Sequence, residues 1–138
     1  MRLFRWSITI AYAGLIFYSS SRTWQEYDSY FDIPYLDKLI HACMYAFLGA
    51  LCVWCLRTTS LRGRKMLWHI GAIMAIIYGI TDEIHQMFVS GRHPDPWDLL
   101  ANSVGAVIGA YATIRFANWW RQREESCDHI YQVDDSEN

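Results

Sequence analysis

Four apolar blocks divide the 138-residue chain, and each is about as long as a helix that crosses a membrane. The blocks run roughly over residues 4–20, 36–56, 67–89 and 99–116. Crossing a bilayer takes about 20 mostly apolar residues, with a range of about 17–25. The length suits one domain, and no internal repeat divides it. The pattern predicts an all-α polytopic membrane protein, a bundle of four transmembrane helices.

The distribution of basic residues predicts the orientation of these helices. Under the positive-inside rule, both termini and the link between the second and third blocks are cytoplasmic, while residues of about 21–36 and 90–97 lie outside. The basic residues on the predicted inner side are Arg2, Arg5, Arg57, Arg62, Arg64, Lys65, Arg115, Arg121 and Arg123. Those on the outer side are Arg22, Lys38 and Arg92.

Composition also predicts the limits of the membrane domain. We place that domain at residues 4–117 and interpret residues 118–138 as a polar cytoplasmic tail, frayed or disordered. The first block has a second interpretation, because its basic start, short apolar core and small residues Ser19–Ser21 also resemble a signal peptide. Bulky Tyr18 and Arg22 argue against cleavage at that point.

Polar side chains occupy the predicted outer end of every block. The second block begins "DKLIHACMY", in which Asp37, His41 and Tyr45 are four residues apart and share a helical face. The fourth begins "DLLANSVGAVIG", in which Asp98 and Asn102 start one stripe that continues through two glycines. The first block ends "SSSR". This one-sided distribution indicates a shared polar site at the outer face.

The third block ends "YGITDEIHQ", where Asp82 and Glu83 are the hardest residues to place in lipid. A charge at the centre of a membrane helix costs about 2.5–3.5 kcal/mol even on insertion scales, and a helix C-terminus disfavours carboxylates. We therefore predict that at least one of them shares an outward-opening cavity with His41 and the Asp98–Asn102 stripe. We expect Arg92 or Lys38 to lie within about 4 Å of one of the carboxylates in this cavity.

Several of these residues also have simpler interpretations. Asp37 and Asp98 fit the first turn of a helix, where the helix dipole favours an acid. Gly105 and Gly109 fit a close-packing surface between helices. The remaining residues read as interfacial, boundary or small apolar residues, without a structural disulfide: His85 and Gln86, His69, Cys52 and Cys55.

Taken together, the three ordered motifs resemble the VanZ-like family of small bacterial membrane proteins, which is named for a teicoplanin resistance factor. Members typically show D-K-x-x-H-x-x-x-Y, D-E-x-x-Q with a following G-R, and D-x-x-x-N-x-x-G-x-x-x-G. The matching positions are Asp37, Lys38, His41, Tyr45, Asp82, Glu83, Gln86, Gly91, Arg92, Asp98, Asn102, Gly105 and Gly109. The resemblance covers roughly residues 19–115, with Ser90 where a proline is common and "HPDP" after Arg92. It implies four membrane helices in a bacterial plasma membrane and a link to glycopeptide resistance, and it supplies no settled reaction.

Two hypotheses of function follow, and the sequence leaves open whether the protein is an enzyme. In the first, the outer site binds or modifies a cell-envelope component such as a lipid-linked cell-wall precursor, with proton exchange at buried acids and an imidazole. The catalytic residues would be His41, Asp82 and Glu83. The substrate-binding residues would be Asp37, Lys38, Tyr45, Gln86, Arg92, Asp98 and Asn102.

In the second hypothesis the same charges form a structural ion-pair network, and the protein acts by shielding or binding a membrane partner. A divalent metal such as Zn, Mn or Mg is a less favoured addition, since no recognisable ligand spacing supports it. Transport is disfavoured because polarity at one end gives no path through the membrane. The expected partners are the lipid bilayer and an envelope component, with no nucleic acid and no resolved oligomeric state.

Overall fold

In the computed structural model, the described residues are 2–22, 35–61, 63, 65–91 and 95–136, with residues 127–136 described for the backbone alone. Within these ranges the chain folds into four helices and no strand. They are α1 (Arg2–Ser20), α2 (Leu36–Leu56), α3 (Leu67–Gln86) and α4 (Pro96–Ser136). The predicted all-α fold class is confirmed for this part of the chain.

Three of the four described helices are long and apolar enough to cross a membrane. The qualifying segments are Leu36–Leu56, Leu67–Gln86 and Pro96–Ser126. Helix α1 is not among them, because Arg2, Arg5 and several hydroxyl side chains lower its mean hydropathy. The structure therefore supports three spans by length and composition, and the fourth span stays a prediction.

The helix ends follow local chain chemistry. Helix α2 covers the predicted residues, whereas α3 ends at Gln86, three residues before the predicted limit at residue 89. Beyond it the backbone tightens into turns, in which the Phe88 amide donates to the His85 carbonyl at 3.0 Å and the Val89 amide donates to the Gln86 carbonyl at 3.1 Å. The left-handed Gly91 (φ 79°) then turns the chain toward α4.

Helix α4 continues to Ser136, well past residue 117, where the sequence places the end of the membrane domain. The segment after Gly109 contains no glycine or proline, and its Arg, Gln and Glu residues favour helix. Apolar character ends near the predicted boundary while the helical backbone does not. The division at residue 117 is a division of composition, and it stays a prediction.

Helices α2 and α4 cross at small residues. A Cβ atom built on Gly105 would overlap the Ala42 carbonyl oxygen, and one built on Gly109 would overlap that of Ala46. On the facing helix, Gly49 lies against the Ala106 backbone in the same way. The two backbones approach this closely because these positions carry no side chain, as is common where membrane helices associate.

The bundle buries a mixed core of apolar and polar residues and exposes many large apolar side chains. Tyr45, Ile16 and Leu48 are among the buried residues where α1, α2, α3 and α4 meet. The outer face of α3 exposes a row of isoleucines, which are Ile73, Ile77, Ile80 and Ile84. An apolar exterior around a partly polar interior suits a hydrocarbon surrounding.

Candidate functional site at the shared end of α2, α3 and α4

Lys38, in the first turn of α2, is the charge centre of the site. Its Nζ atom lies 2.8 Å from Asp37 Oδ2, 2.5 Å from Asp95 Oδ2 and 2.6 Å from Asp98 Oδ1. Asp95 immediately precedes α4 and Asp98 lies in its first turn, so one ammonium joins the starts of two helices. Both Asp37 and Asp98 also lie at helix N-termini, where the dipole favours a negative charge.

Asp95 also stabilises the start of α4. Its Oδ1 atom accepts a hydrogen bond of 2.9 Å from the Trp97 amide. The hydrogen bond from Lys38 and, to a smaller extent, the one from the Trp97 amide hold the pKa of the Asp95 carboxyl below its usual range. Asp95 is therefore ionised at neutral pH.

His41 lies one turn deeper and contacts α4 through both ring nitrogens. Its Nδ1 atom is 3.0 Å from Asn102 Oδ1, and its Nε2 atom is 4.0 Å from Asp98 Oδ2. An amide oxygen only accepts, so with this amide orientation the Nδ1–H of the ring donates. The Nε2 atom then faces Asp98.

Asp82, Glu83 and Gln86, at the end of α3, are all buried within the bundle. Gln86 donates from Nε2 to Ser20 Oγ at 2.8 Å and to Asp82 Oδ2 at 3.4 Å. By contrast, Asp82 Oδ1 and both oxygens of Glu83 make no hydrogen bond of good geometry among the described residues, although the Asp95 amide interacts with Glu83 and the Tyr45 hydroxyl interacts with Asp82. Buried polar atoms are nearly always hydrogen-bonded, so these three oxygens call for an explanation.

Tyr45 and Asn102 complete the inner wall of the site. Both are fully buried, and within the described residues the Tyr45 hydroxyl and Asn102 Nδ2 lack hydrogen-bond partners. Tyr45 interacts electrostatically with Asp82 and Glu83. Gly79, one turn before these acids, allows the close approach, because a Cβ there would lie 3.1 Å from Tyr45 Cε1 and 3.4 Å from Asn102 Cβ.

Helix α1 closes one side of the α3 end through hydroxyl groups. Besides the Gln86–Ser20 bond, Ser21 Oγ lies 3.0 Å from His85 Nε2, and the Phe17 and His85 rings lie 4.3 Å apart between centroids. His85 thus contacts α1 and is more than an interfacial residue. The serines at the end of α1 therefore lie at the same end of the bundle as Asp82 and Glu83.

The exposure of these side chains indicates the direction in which the site opens. The exposed fraction falls from 60% at Asp37 and 35% at Asp95 to 24% at Lys38 and 13% at Asp98. Glu83 and Asp82 follow, with 7% and 4% of the residue exposed. The cluster therefore leads from the ends of the helices inward.

The structure brings together most of the predicted site residues from separate helices. Those at this end of the bundle are Asp37, Lys38, His41, Tyr45, Asp82, Glu83, Gln86, Asp98 and Asn102. Arg92 lies outside the described residues, so the predicted position of its guanidinium is not addressed. Cys52, about 21 Å along α2 from Lys38 at 1.5 Å per residue, lies far from the site.

Sequence reasoning missed four contributors. Asp95 lies within the predicted outer segment 90–97 without a recognised role, and neither Gly79 nor Gly49 belongs to one of the three motifs. The partner of Ser20 was also unforeseen. For Gly79 a signal existed, because it precedes Asp82 and Glu83 by one helical turn and so shares their face.

The metal alternative finds no geometric support in the described parts of the chain. Nowhere in them do three or more His, Cys, Asp or Glu side chains converge as metal ligands would. Cys43, Cys52 and Cys55 are free thiols, and Cys55 Sγ lies 3.0 Å from Thr9 Oγ1 on α1. The C-x-x-C pattern therefore contributes to helix packing.

The fold and the site define a class, which is a small helical protein with long apolar spans and a buried polar cluster contributed by three of them. The model of the VanZ/LLP1 family matches residues 4–118, most of the chain. The chain therefore belongs to the VanZ/LLP1 family, as its motifs indicated, and its apolar helices are those of a membrane protein. No curated protein and no solved structure matches it.

Proposed function

We propose that this VanZ/LLP1 protein binds or modifies a cell-envelope component at the extracytoplasmic face of a bacterial plasma membrane. The observation that carries the proposal is the pair of acids, Asp82 and Glu83, that α3 buries at the same end of the bundle as His41. Carboxylates are costly to bury and rare in membrane helices, where they mark functional sites. Buried acids beside an imidazole fit a site prepared for a ligand.

In this proposal the residues divide by role. His41, Asp82 and Glu83 exchange protons with the ligand, and Asp37, Lys38, Tyr45, Gln86, Arg92, Asp98 and Asn102 position it. Asn102 orients His41 by accepting its Nδ1–H, which leaves Nε2 for the ligand side. If a covalent step occurs, hydrolysis or group transfer is the expected class.

The proposed topology has four spans and cytoplasmic termini, with α1 as the fourth span. The unequal distribution of basic residues supports it. In a cysteine-free background, single cysteines at positions 28 and 95 should react with an impermeant maleimide in intact cells. Cysteines at positions 63 and 128 should react only after permeabilisation. External labelling at 63 would place the site on the cytoplasmic side and contradict the proposal.

The functional test is a deletion strain complemented by variants. Wild type and Glu125→Gln, a change at an exposed carboxylate of α4, should restore the same profile of lipids and cell-wall precursors and the same minimum inhibitory concentration of teicoplanin. Glu83→Gln and His41→Ala should leave the profile of the deletion strain at equal abundance. Full complementation by Glu83→Gln would refute the proposal.

One observation favours the non-catalytic alternative. The Lys38 ammonium is already paired with three carboxylates of the protein itself. Under this alternative the protein binds or shields a membrane partner without changing it. Reconstitution with labelled precursor lipid separates the two ideas, since a covalent change in the lipid supports an enzyme. Retained binding without any change supports the shielding role.

A further inference from the structure

Helix α4 carries an exposed aromatic and basic surface far from the polar site. Phe116, Trp119 and Trp120 are 63%, 45% and 53% exposed, and their ring centroids form a triangle with sides of 5.8, 6.2 and 6.0 Å. Arg123 lies over the Trp119 ring, with its Cζ atom 4.6 Å from the ring centroid. Arg115 is exposed one turn before Trp119. We call these five residues the aromatic–arginine surface.

The aromatic–arginine surface occupies one side of α4. At 3.6 residues per turn, its five residues fall within an arc of about 140° around the helix axis. Ala117, which is 9% exposed, lies outside that arc on the side of α4 that packs into the bundle. The surface therefore points away from the other helices, toward whatever surrounds the protein.

The charge of this surface is positive. Residues 99–123 of α4 contain no carboxylate. Glu124 lies outside the arc, where its Oε1 atom accepts a hydrogen bond of 2.8 Å from Trp120 Nε1. The helical register places Glu125 and Asp128 on the opposite side of α4. The side that carries the surface thus has two guanidinium groups and no carboxylate before residue 134, and it suits a negatively charged partner.

The depth of the surface along α4 indicates the kind of partner. Trp97, which is 68% exposed, and Phe116 are about 28 Å apart along the helix at 1.5 Å per residue. This separation is close to the hydrocarbon thickness of a bilayer, about 30 Å, and tryptophan is enriched where hydrocarbon meets the headgroups. We therefore place Trp119 and Arg123 at headgroup depth. The large residues exposed between the two ends are hydrophobic and suit acyl chains: Leu100, Val104, Val107, Ile108 and Tyr111.

From these observations we infer that the aromatic–arginine surface binds the headgroup phosphate of an anionic phospholipid in the adjacent leaflet. The Trp119 ring holds the Arg123 guanidinium by a cation–π contact, and the N–H groups at the guanidinium edge remain available to phosphate oxygens. Arginine commonly binds phosphate through two parallel hydrogen bonds. A headgroup with a net negative charge is attracted by both arginines, whereas the choline group of a zwitterionic lipid is repelled by them. The inference concerns the other end of the bundle and does not depend on the proposed function.

Photocrosslinking of the full chain in vesicles of known composition tests the inference. The photoreactive residue p-benzoylphenylalanine replaces Phe116 or, as a matched control, Phe88, which is 82% exposed beyond the end of α3. The vesicles are phosphatidylcholine with one tenth phosphatidylglycerol, and mass spectrometry identifies the captured lipid. At position 116 the captured ratio of phosphatidylglycerol to phosphatidylcholine should exceed the bulk ratio about fivefold or more, as the attraction of one arginine for an anionic headgroup implies. Position 88 should capture the two lipids near their bulk ratio.

Substitutions in the protein labelled at position 116 identify the groups that make the contact. Arg123→Gln should lower the excess of phosphatidylglycerol about fivefold. Trp119→Leu leaves the charge unchanged and should also lower the excess, because the ring that holds Arg123 is lost. Arg121→Gln is the matched control, since Arg121 lies on the opposite side of α4 and donates to Asn118 Oδ1 at 3.1 Å. This variant should retain most of the excess.

Three results would overturn the inference. The first is capture at position 116 in the bulk ratio. The second is an equal loss in Arg121→Gln and Arg123→Gln with none in Trp119→Leu, which would show diffuse attraction by positive charge in place of a contact. The third is crosslinking of position 116 to a second copy of the chain in place of lipid, which would assign the surface to a protein interface. The three substituted residues are exposed, and size-exclusion chromatography of each variant confirms that the compared proteins are folded.

Discussion

The α2–α4 side of the polar cluster and its α3 side differ in how completely their groups are paired. Between α2 and α4, Lys38 contacts Asp98 and His41 bonds to Asn102, and small residues continue the contact deeper into the bundle. On α3, Asp82 and Glu83 are buried, and three of their four carboxylate oxygens make no hydrogen bond of good geometry among the described residues. The contacts between α2 and α4 hold these two helices in register. The α3 acids are the groups that a ligand would contact.

The largest effect is expected from a substitution at the small residues between α2 and α4. Gly109→Ala places a methyl group on the Ala46 carbonyl oxygen, where backbone cannot give way. Overpacking typically costs about 1–3 kcal/mol and more where nothing can move, so we expect about 3 kcal/mol and a large loss of abundance. Thermal unfolding in detergent and membrane abundance measure it.

Gly14→Ala is the matched control for that change. No atom lies within 4 Å of a Cβ built at this position, so Gly14→Ala should leave stability unchanged or raise it slightly through helix propensity. Equal behaviour of the two variants would contradict close packing between α2 and α4.

A smaller effect removes the ammonium that joins the two helix starts. Lys38→Met leaves Asp95 and Asp98 facing each other, and we expect about 1–3 kcal/mol of destabilisation. The loss stays below that of a fully buried pair because Asp37 and Asp95 remain partly hydrated. Chemical unfolding measures it, with the exposed Lys65→Met as control. An unfolding midpoint equal to that of wild type would mean that Lys38 does not hold the helices together.

The smallest effect concerns the Asp95–Lys38 ion pair, whose contribution to stability depends on pH. The folded pKa of Asp95 is lowered from 3.8, chiefly by Lys38, so its contribution is complete above pH 3.8 and lost as pH falls through the lowered value. Asp95→Asn should therefore unfold slightly earlier than wild type at neutral pH, and the difference should shrink as pH falls below 3.8 through the lowered pKa. Unfolding midpoints across that range test it, and a difference that grows in acid would contradict the pairing.

Sequence periodicity predicted the elements better than the contacts between them. The limits of α2 and the shared face of Asp37, His41 and Tyr45 follow from spacing, because hydropathy and the helical repeat are local properties. The end of α3 at Gln86 and the Asp95–Lys38 contact depend on how a turn returns the chain to a neighbouring helix. Such long-range geometry leaves no periodic signal.

The site was predictable for a related reason. Carboxylates at the wrong end of a membrane helix are anomalous in sequence, and this identified Asp82 and Glu83 before any contact was known. No comparable signal reveals which of several nearby cations pairs with which acid. Lys38 proves to be fully engaged by α2 and α4 acids, which leaves the α3 acids without it.

The central claim is that Glu83 is held for a ligand and not for the fold, and thermal unfolding of Glu83→Gln tests it most directly. The amide keeps the shape of the side chain and removes a carboxyl group that is costly to bury, so the variant should unfold at the same temperature as wild type or a higher one. It should nevertheless fail to complement the deletion strain. A fall in unfolding temperature comparable to that of Lys38→Met would show that the carboxylate stabilises the fold, and would contradict the account.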